Sequence, residues 1–244
     1  MSTTQKSQQE AQPAYVLHSY PYRETSLVVE VFSRNFGRLA MVARGARRPK
    51  SAVRGLLLAF QPLQLNWFGK AELKTLHSAE WQGGQPHLQG MALLCGFYLN
   101  ELLLKLLHRD DPHEQLFLYY QETLQALANQ CDYAAILRRF EIRLLQELGY
   151  ALTLTIEAKS GASIIPDRKY FYQIEHGPVI DGGADSLENG VQLAGKTLLD
   201  MASDDYRDPV TLQQSKSLMR TLINHYLGDQ TLHTRQLLKD LQQL

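Results

Sequence analysis

The chain has 244 residues, 44% of them hydrophobic, and its 25 Lys and Arg residues balance 25 Asp and Glu residues. This length can bury a core sufficient for one large domain or for two to three small ones. No stretch reaches the roughly 18 uninterrupted apolar residues of a membrane span, and the polar first residues lack the apolar core of a signal peptide, so we expect a cytoplasmic protein.

The first part of the chain has the residue pattern of a small β-barrel. Residues 1–12 are polar and Gln-rich, and we expect a flexible tail because they offer little apolar surface to offset ordering. Within residues 13–82, five stretches are typical of strands: 15–20, 27–32, 38–42, 63–68 and 73–79. Five strands with a long excursion after the third predict an OB-fold barrel, although a barrel of the SH3 type fits the count almost as well.

Charge is concentrated in this barrel region. Between Val31 and Ala71 there is no Asp or Glu, and we name this stretch the basic segment. It contains eight basic residues: Arg34, Arg38, Arg44, Arg47, Arg48, Lys50, Arg54 and Lys70. A concentrated positive region on a protein of zero net charge suits a polyanion and disfavours indiscriminate binding elsewhere.

The long connection after the third predicted strand is the strongest candidate for a binding function. Its basic residues recur every one to four positions and can follow successive phosphates, while Gly45 lets the backbone approach a ligand. The predicted DNA-binding residues are Arg34, Arg38, Arg44, Arg47, Arg48, Lys50 and Arg54. The competing interpretation is a mobile, solvated loop whose charges only aid solubility.

Aromatic residues within the basic segment are candidates for stacking on bases. The four candidates are Phe36, Phe60, Trp67 and Phe68, and for each of them packing in the core is the competing interpretation. Asn35-Phe36-Gly37 predicts a tight turn between the second and third strands. We expect Phe36 to be the most exposed of the four because it lies in that turn.

From residue 83 onward the apolar spacing becomes helical, so residues 83–244 are predicted to form a mainly helical domain and the fold class is α+β. Three helices are indicated by apolar faces over 88–107, 116–127 and 136–148. Gly149 is the expected C-terminal cap of the third helix.

The remainder of the helical domain is less regular. Residues 153–185 predict a small irregular or β insertion, with alternation typical of a strand at 169–174. Helices are expected to resume near Val191, then to run from Pro209 to Leu227 after the capping candidate Asp208, and to end with a short helix after Thr234.

A second basic cluster lies on the third predicted helix. Arg138, Arg139 and Arg143 flank an apolar stripe, an arrangement that can hold an acidic peptide ending in an apolar residue. From the residues alone, an amphipathic helix in which Glu141 pairs locally is the simpler interpretation.

Signatures of catalysis are missing from the sequence. There is no GxxxxGK[ST] loop, no GxGxxG after a strand, no GxSxG elbow and no HExxH pair. Cys95 and Cys131 form no CxxC pair, so we expect plain thiols and neither a metal nor another cofactor. We therefore expect a binding protein and not an enzyme.

A series of short motifs resembles the RecO family of bacterial DNA repair proteins. In chain order these are 14–27 (AYVLHSYPYRETSL), 36–39 (FGRL), 42–47 (VARGAR), 71–76 (AELKTL), 97–103 (FYLNELL), 137–141 (LRRFE), 148–150 (LGY), 226–228 (YLG) and 234–238 (TRQLL). The resemblance covers nearly the whole chain from Pro13. The combination is specific, although no single motif is.

The resemblance implies a recombination mediator, with an OB-fold barrel on a helical domain, that binds single- and double-stranded DNA and anneals complementary strands. It implies that the protein works with RecR, and in some members with RecF, to let RecA load on DNA coated by the single-stranded-DNA-binding protein (SSB). It also implies a cytoplasmic, nucleoid-associated location.

The resemblance also bears on the second basic cluster and on metals. In the family, the acidic, apolar-ended SSB tail docks on the helical domain, and Arg138 is the matching position, which favours a tail-binding role for Arg138, Arg139 and Arg143. Some relatives carry a four-cysteine zinc site after the third helix, but residues 155–163 contain no cysteine, so a metal-free version is expected. An RNA- or ribosome-associated barrel protein and a scaffold for an acidic protein partner remain the alternatives.

Overall fold

The structure is a computed structural model that describes residues 8–130, 132–180 and 190–241. The chain divides into two compact units, of which unit 1 is Met1–Cys131 with Leu232–Leu244 and unit 2 is Asp132–Thr231. The sequence-based boundary at residue 83 falls within unit 1. The assignment of residues 13–82 to a domain of their own stays a prediction, and Cys131 lies outside the described residues.

Unit 1 contains a closed five-stranded barrel. Its strands are β1 (Gln8–Tyr22), β2 (Ser26–Ser33), β3 (Gly37–Ala43), β4 (Pro62–Phe68) and β5 (Leu73–Trp81). They are ordered β1-β2-β3-β5-β4, β1 pairs antiparallel with both β2 and β4, and β3 pairs parallel with β5. A short helix, α1 (Ala52–Leu56), lies in the connection between β3 and β4. This arrangement confirms the predicted OB-fold barrel over the SH3-type alternative.

The first strand begins earlier than the sequence indicates. Residues 8–12, predicted to be flexible, belong to β1 and pair with β4, with Gln8 opposite Phe68 and Gln9 opposite Trp67. Main-chain hydrogen bonds order this polar stretch, and they do not depend on apolar side chains. The rest of the predicted tail, residues 1–7, lies outside the described residues.

The barrel core explains where the aromatic candidates lie. Trp67 and Phe60 are buried, as the core interpretation holds, and Phe68 is half-buried beside the ring of His77. Phe36, which we expected to be the most exposed of the four, is half-buried like Phe68. Its ring lies 5.3 Å from that of Trp67 with the planes at 84°, so it is partly buried against the core.

Gly37, the first residue of β3, is a position that the fold restricts to glycine. Its φ is +67°, and a Cβ there would overlap the carbonyl oxygen of Asp111. We expect Gly37→Ala to lower the free energy of unfolding by about 3 kcal/mol or more, measured by urea denaturation. Gly90→Ala is the matched control, because Gly90 also has a positive φ but open space at its Cβ, and should cost about 1–2 kcal/mol. Equal losses would contradict the steric explanation.

Two helices of unit 1 pack against the barrel, which is why the compact unit extends beyond residue 83. They are α2 (Gly90–Leu106) and α3 (Glu114–Asn129). On α3, the ring of Tyr120 lies 5.2 Å from that of Tyr15 on β1. On α2, the buried Asn100 side chain donates to the carbonyl oxygen of Leu17 at 2.8 Å. Apolar burial and a satisfied polar bridge therefore join both helices to β1.

Unit 2 combines helices with a small sheet. Its elements are α4 (Tyr133–Glu147), β6 (Lys169–Gln173), β7 (Gly177–Ile180), β8 (Gly190–Ala194), α5 (Gly195–Ala202) and α6 (Pro209–Leu227). The sheet order is β7-β6-β8. The cap at Gly149 is confirmed by its φ of +86°, and the Asp208 carboxylate accepts a hydrogen bond from the Val210 backbone at the start of α6.

One expectation for unit 2 is wrong. We predicted that helices resume near Val191, but Val191 belongs to β8 and pairs with Tyr172 of β6. The helix α5 begins only at Gly195. Strand β8 is the neighbour of β6 in the sheet. Local spacing of apolar residues does not reveal this pairing, because the two strands are separated in sequence. Residues 181–189 of the predicted insertion lie outside the described residues.

The chain ends in unit 1 with α7 (His233–Leu241). The Glu101 carboxylate of α2 accepts hydrogen bonds from the backbone nitrogens of His233 (2.8 Å) and Thr234 (2.9 Å) and from the Thr234 hydroxyl (2.6 Å). A carboxylate at a helix N-terminus satisfies exposed N–H groups and suits the helix dipole. Glu101 thus anchors the last helix to α2. No helix in the described part of the chain is long and apolar enough to cross a membrane.

Candidate nucleic-acid interface

The structure separates the seven predicted DNA-binding residues into two groups. Five of them are exposed on the β3–β4 connection: Arg44, Arg47, Arg48, Lys50 and Arg54, the last of which lies on α1. Arg34 and Arg38 lie on the β2–β3 hairpin and form ion pairs. The exposed group can contact phosphates without first breaking an ion pair with a carboxylate.

The connection that carries the exposed group is held against the barrel. Ala46 is fully buried in the barrel core. The backbone nitrogen of Arg47 donates to the carbonyl oxygen of Thr25 at 2.8 Å, and the Arg47 guanidinium donates to the carbonyl oxygen of Arg23 at 3.1 Å. These contacts fix the start of the connection beside the β1–β2 turn. They argue against a loosely solvated loop over this part of it.

A groove of about 680 Å³ opens beside this connection, and we name it the barrel groove. Its lining comes from the β1–β2 turn, from the end of β3 with the residues that follow it, and from the start of β5: Tyr22, Arg23, Glu24, Thr25, Ser26, Val42, Arg44, Gly45, Arg48, Leu73, Lys74 and Thr75. OB folds bind oligonucleotides with this part of the barrel, on the face of strands 2 and 3 and the adjoining loops.

Positive charge dominates the barrel groove. Arg23, Arg44 and Arg48 are exposed cations in its lining, and Glu24 is its carboxylate. Lys74 also contributes to the lining, but its ammonium is buried and lies 2.5 Å from the Asp110 carboxylate. Three guanidinium groups in one groove can each form a charge-assisted contact with a phosphate.

Arg38 is committed to the inside of unit 1. Its guanidinium donates to the carbonyl oxygen of Leu107 at 3.0 Å and pairs with Glu30 at 3.3 Å. Glu30 is only 5% exposed and also pairs with Arg109, which in turn contacts Glu72. Burial lowers the pKa of Arg38, and the Glu30 carboxylate opposes that shift. The Arg38 guanidinium thus balances the buried Glu30 carboxylate. The structure does not place Arg38 in the lining of the barrel groove.

Arg34 is held more loosely. It forms an ion pair with Glu114 at the start of α3, and both side chains are substantially exposed. Exposed ion pairs contribute little to stability and are screened by salt. Arg34 can therefore exchange Glu114 for a phosphate at low cost, and its DNA-binding role stays a prediction.

The second basic cluster lies on α4 in unit 2, where its three arginines differ in exposure. Arg138 is buried and its guanidinium donates to the Glu141 carboxylate at 2.7 Å, the local pairing of the simpler interpretation. Arg139 is exposed, and its Nε donates to both carboxylate oxygens of Asp204. Arg143 is exposed and donates to the Gln146 side chain at 3.2 Å. A tail-binding role for the cluster stays a prediction, with Arg139 and Arg143 as its accessible members.

Comparison with known families identifies the chain. The family model described as Recombination protein O N terminal matches residues 8–84, and the model Recombination protein O C terminal matches residues 87–236. The chain belongs to the RecO family.

Several curated RecO family members are similar to this one over their full length. The DNA repair protein RecO of Nitrosospira multiformis is 63% identical over 239 residues, which cover 98% of each chain. The protein of the same name from Aromatoleum aromaticum is 55% identical, covering 99% of this chain and 100% of its own. The one from Dechloromonas aromatica is 56% identical, covering 98% and 99%.

Residues 155–163, the segment for which the family resemblance raised the question of zinc, are held together by hydrogen bonds. The buried Glu157 carboxylate accepts hydrogen bonds from the backbone and the hydroxyl of Ser160, and Ile156 forms an isolated bridge with Ser163. Thiolates, the usual ligands of a structural zinc ion, are missing from residues 155–163, so these residues do not fit zinc. Among the described residues no group of three or more potential ligands lies together.

Sequence reasoning missed two features of this RecO interface. Tyr22 lines the barrel groove with the Arg23 guanidinium 5.2 Å above its ring, but we sought aromatic residues only within the basic segment. The signal available was its position just after the predicted strand 15–20, before the polar turn. The Glu30–Arg109 pair was also missed, since these residues are distant in sequence and only the fold joins them.

Proposed function

We propose that the protein is a DNA repair and recombination mediator that binds single- and double-stranded DNA in the barrel groove and anneals complementary strands. The observation that carries this proposal is an OB-fold groove lined by Arg23, Arg44 and Arg48. The relatives that match along their full length are named DNA repair proteins, which supports the repair role.

The proposed mechanism needs no nucleotide hydrolysis. Guanidinium groups that neutralise two phosphate backbones lower the repulsion that opposes the first base pairs of a duplex. Watson–Crick pairing then supplies the sequence specificity, because contacts to phosphate carry none. The protein should therefore bind DNA with little sequence preference.

The partners form part of the proposal, which family membership supports. The second basic cluster on α4 docks the acidic SSB tail and recruits the protein to coated strands. The barrel groove then brings in a second strand or, with RecR and in some members RecF, clears a site on which RecA loads.

The direct test is annealing of complementary oligonucleotides that are coated with SSB, either intact or lacking its acidic tail. We expect faster annealing with the protein present, and a much smaller acceleration when the tail is missing. No acceleration with intact SSB, or clear preference for structured RNA over single-stranded DNA in a competition titration, would contradict the proposal.

Tyr22 is expected to stack on a base in the barrel groove. Tyr22→Ala should weaken binding of single-stranded DNA by about 5- to 100-fold, the usual cost of one lost aromatic stack. Tyr22→Phe is the control, since it keeps the ring and should bind nearly as tightly. Fluorescence anisotropy across a salt series should show an unchanged log–log slope, because no phosphate contact is removed. A similar loss with Phe would argue for a role of the hydroxyl group instead.

The accessible arginines of α4 provide a test of tail docking. Arg139→Ala combined with Arg143→Ala should weaken binding of a peptide with the SSB tail sequence by about tenfold or more, since each lost charge-assisted contact costs about 1.5–3 kcal/mol. Binding of naked DNA should stay unchanged. Arg138 is left intact because its substitution would disturb the buried Glu141 pair. Unaltered peptide binding, measured by titration calorimetry, would remove Arg139 and Arg143 from the proposal.

A further inference from the structure

Unit 2 contains a pocket that the proposed function does not use. Its volume is about 270 Å³, and its lining comes from the end of α4 and residues 149–153, from β6 and the β6–β7 turn, and from α6. Three tyrosines and one carboxylate characterise the lining: Tyr150, Tyr172, Tyr226 and Glu175. We name it the tyrosine pocket.

Aromatic rings form much of the surface of this pocket. The rings of Tyr150 and Tyr226 are stacked, with centroids 3.8 Å apart and planes at 15°. Tyr150 is 43% exposed, whereas Tyr172 is buried beneath the opening. A stacked ring cannot turn freely, so the electron-rich surfaces are fixed in place. Such surfaces attract cations.

The charge of the tyrosine pocket also favours a cation. Among the described residues, its lining contains Glu175 but no Lys or Arg. His225 of α6 approaches the Glu175 carboxylate to 3.3 Å, and His176 belongs to the lining. Burial, then the Glu175 carboxylate and Tyr150, raise the pKa of Tyr226. A phosphate placed here would face a carboxylate and phenol oxygens, so this pocket has the opposite preference to the barrel groove.

The volume of the pocket limits the kinds of ligand that it can hold. Pockets for cofactors and drug-sized ligands hold about 300–1,000 Å³, so 270 Å³ suits a single long side chain better than a nucleotide. Arginine fits the chemistry best, because its planar guanidinium stacks on aromatic rings and pairs with a carboxylate. We infer that the tyrosine pocket binds an arginine side chain from a basic segment of a protein partner, with its guanidinium between Tyr150 and Glu175.

The inference is independent of DNA binding and can be tested with a defined probe. Acetyl-Gly-Arg-Gly-amide is titrated into the full chain, and the ring signals of Tyr150 and Tyr226 are followed by NMR. We expect saturable shifts with a dissociation constant in the millimolar range, typical of a single side chain. The citrulline peptide, which has the same shape without the charge, should bind at least about fivefold more weakly.

Two pocket substitutions and one control substitution separate the pocket from general charge effects. Glu175→Gln should weaken binding of the arginine peptide by about tenfold, as expected for loss of a charge-assisted contact, and Tyr150→Ala should abolish it. Asp167→Asn removes an exposed carboxylate elsewhere in unit 2 and should have no effect. Equal binding of both peptides, no shift at tens of millimolar peptide, or no effect of Glu175→Gln would overturn the inference. So would an oligodeoxynucleotide that displaces the arginine peptide from the same tyrosines.

Discussion

Replacing Arg44, Arg47 and Arg48 together by alanine should weaken binding of single-stranded DNA by about 10- to 100-fold at low salt. Arg44 and Arg48 line the barrel groove and Arg47 lies beside it, so the variant removes the densest group of exposed cations in the described part of unit 1. Each phosphate contact contributes about −0.7 to the log–log salt slope on a single strand, so three lost contacts should reduce the slope by about 2.

The salt slope makes this prediction specific. A variant that merely folds less well would bind less but would keep the slope of its folded fraction. The matched control removes three exposed cations of unit 2, Arg168, Lys216 and Arg220, and should leave both affinity and slope nearly unchanged. Fluorescence anisotropy titrations across a salt series measure both quantities. If the two triple variants lose affinity equally, binding depends on net charge and not on the barrel groove.

Among the polar residues of unit 1 that we consider for substitution, Glu101 should cause the largest loss of stability when it is replaced by glutamine. Glutamine keeps one acceptor oxygen but cannot accept the backbone and hydroxyl hydrogen bonds of His233 and Thr234 together. Each hydrogen bond to a charged group contributes about 1.5–3 kcal/mol, so we expect α7 to be destabilised by about 2–4 kcal/mol. Hydrogen exchange of the amides at the start of α7 measures the loss directly.

The effect of Glu101 should depend on pH in a defined direction. Burial acts to raise the pKa of Glu101, but hydrogen bonds from Thr234 and His233, together with Lys105, outweigh it and leave the pKa below its ordinary value. A lowered pKa means that the stabilisation is fully present above the unfolded value of about 4.3 and is lost as the pH falls through the folded value. The stability gap between the wild type and Glu101→Gln should therefore be widest near neutral pH and close in acid.

A control carboxylate distinguishes this anchor from a general effect of charge. Glu122 is exposed on α3, and Glu122→Gln should change neither the exchange rates of α7 nor their dependence on pH. If both variants protect α7 as well as the wild type does, Glu101 does not anchor the helix.

Much of the fold could be predicted from the sequence because its signals are local. Alternation of apolar residues located the five barrel strands, and helical spacing located α2, α3, α4 and α6. Gly149 and Asp208 were recognisable as caps because helix ends need specific residue types. Val191 was misassigned because a short apolar run fits a strand as well as a helix until its sheet partner is known.

The sequence by itself determined where positive charge is available and which barrel carries it, since both follow from residue types along one stretch of chain. Only the tertiary structure decided which charges are accessible. Arg38 is paired with Glu30, and Arg138 is paired with Glu141. Arg23 and Tyr22, which lie outside the basic segment, line the barrel groove together with Arg44. The physical reason is that pairing and burial depend on distances in space, and barrel closure brings together residues that no local pattern relates.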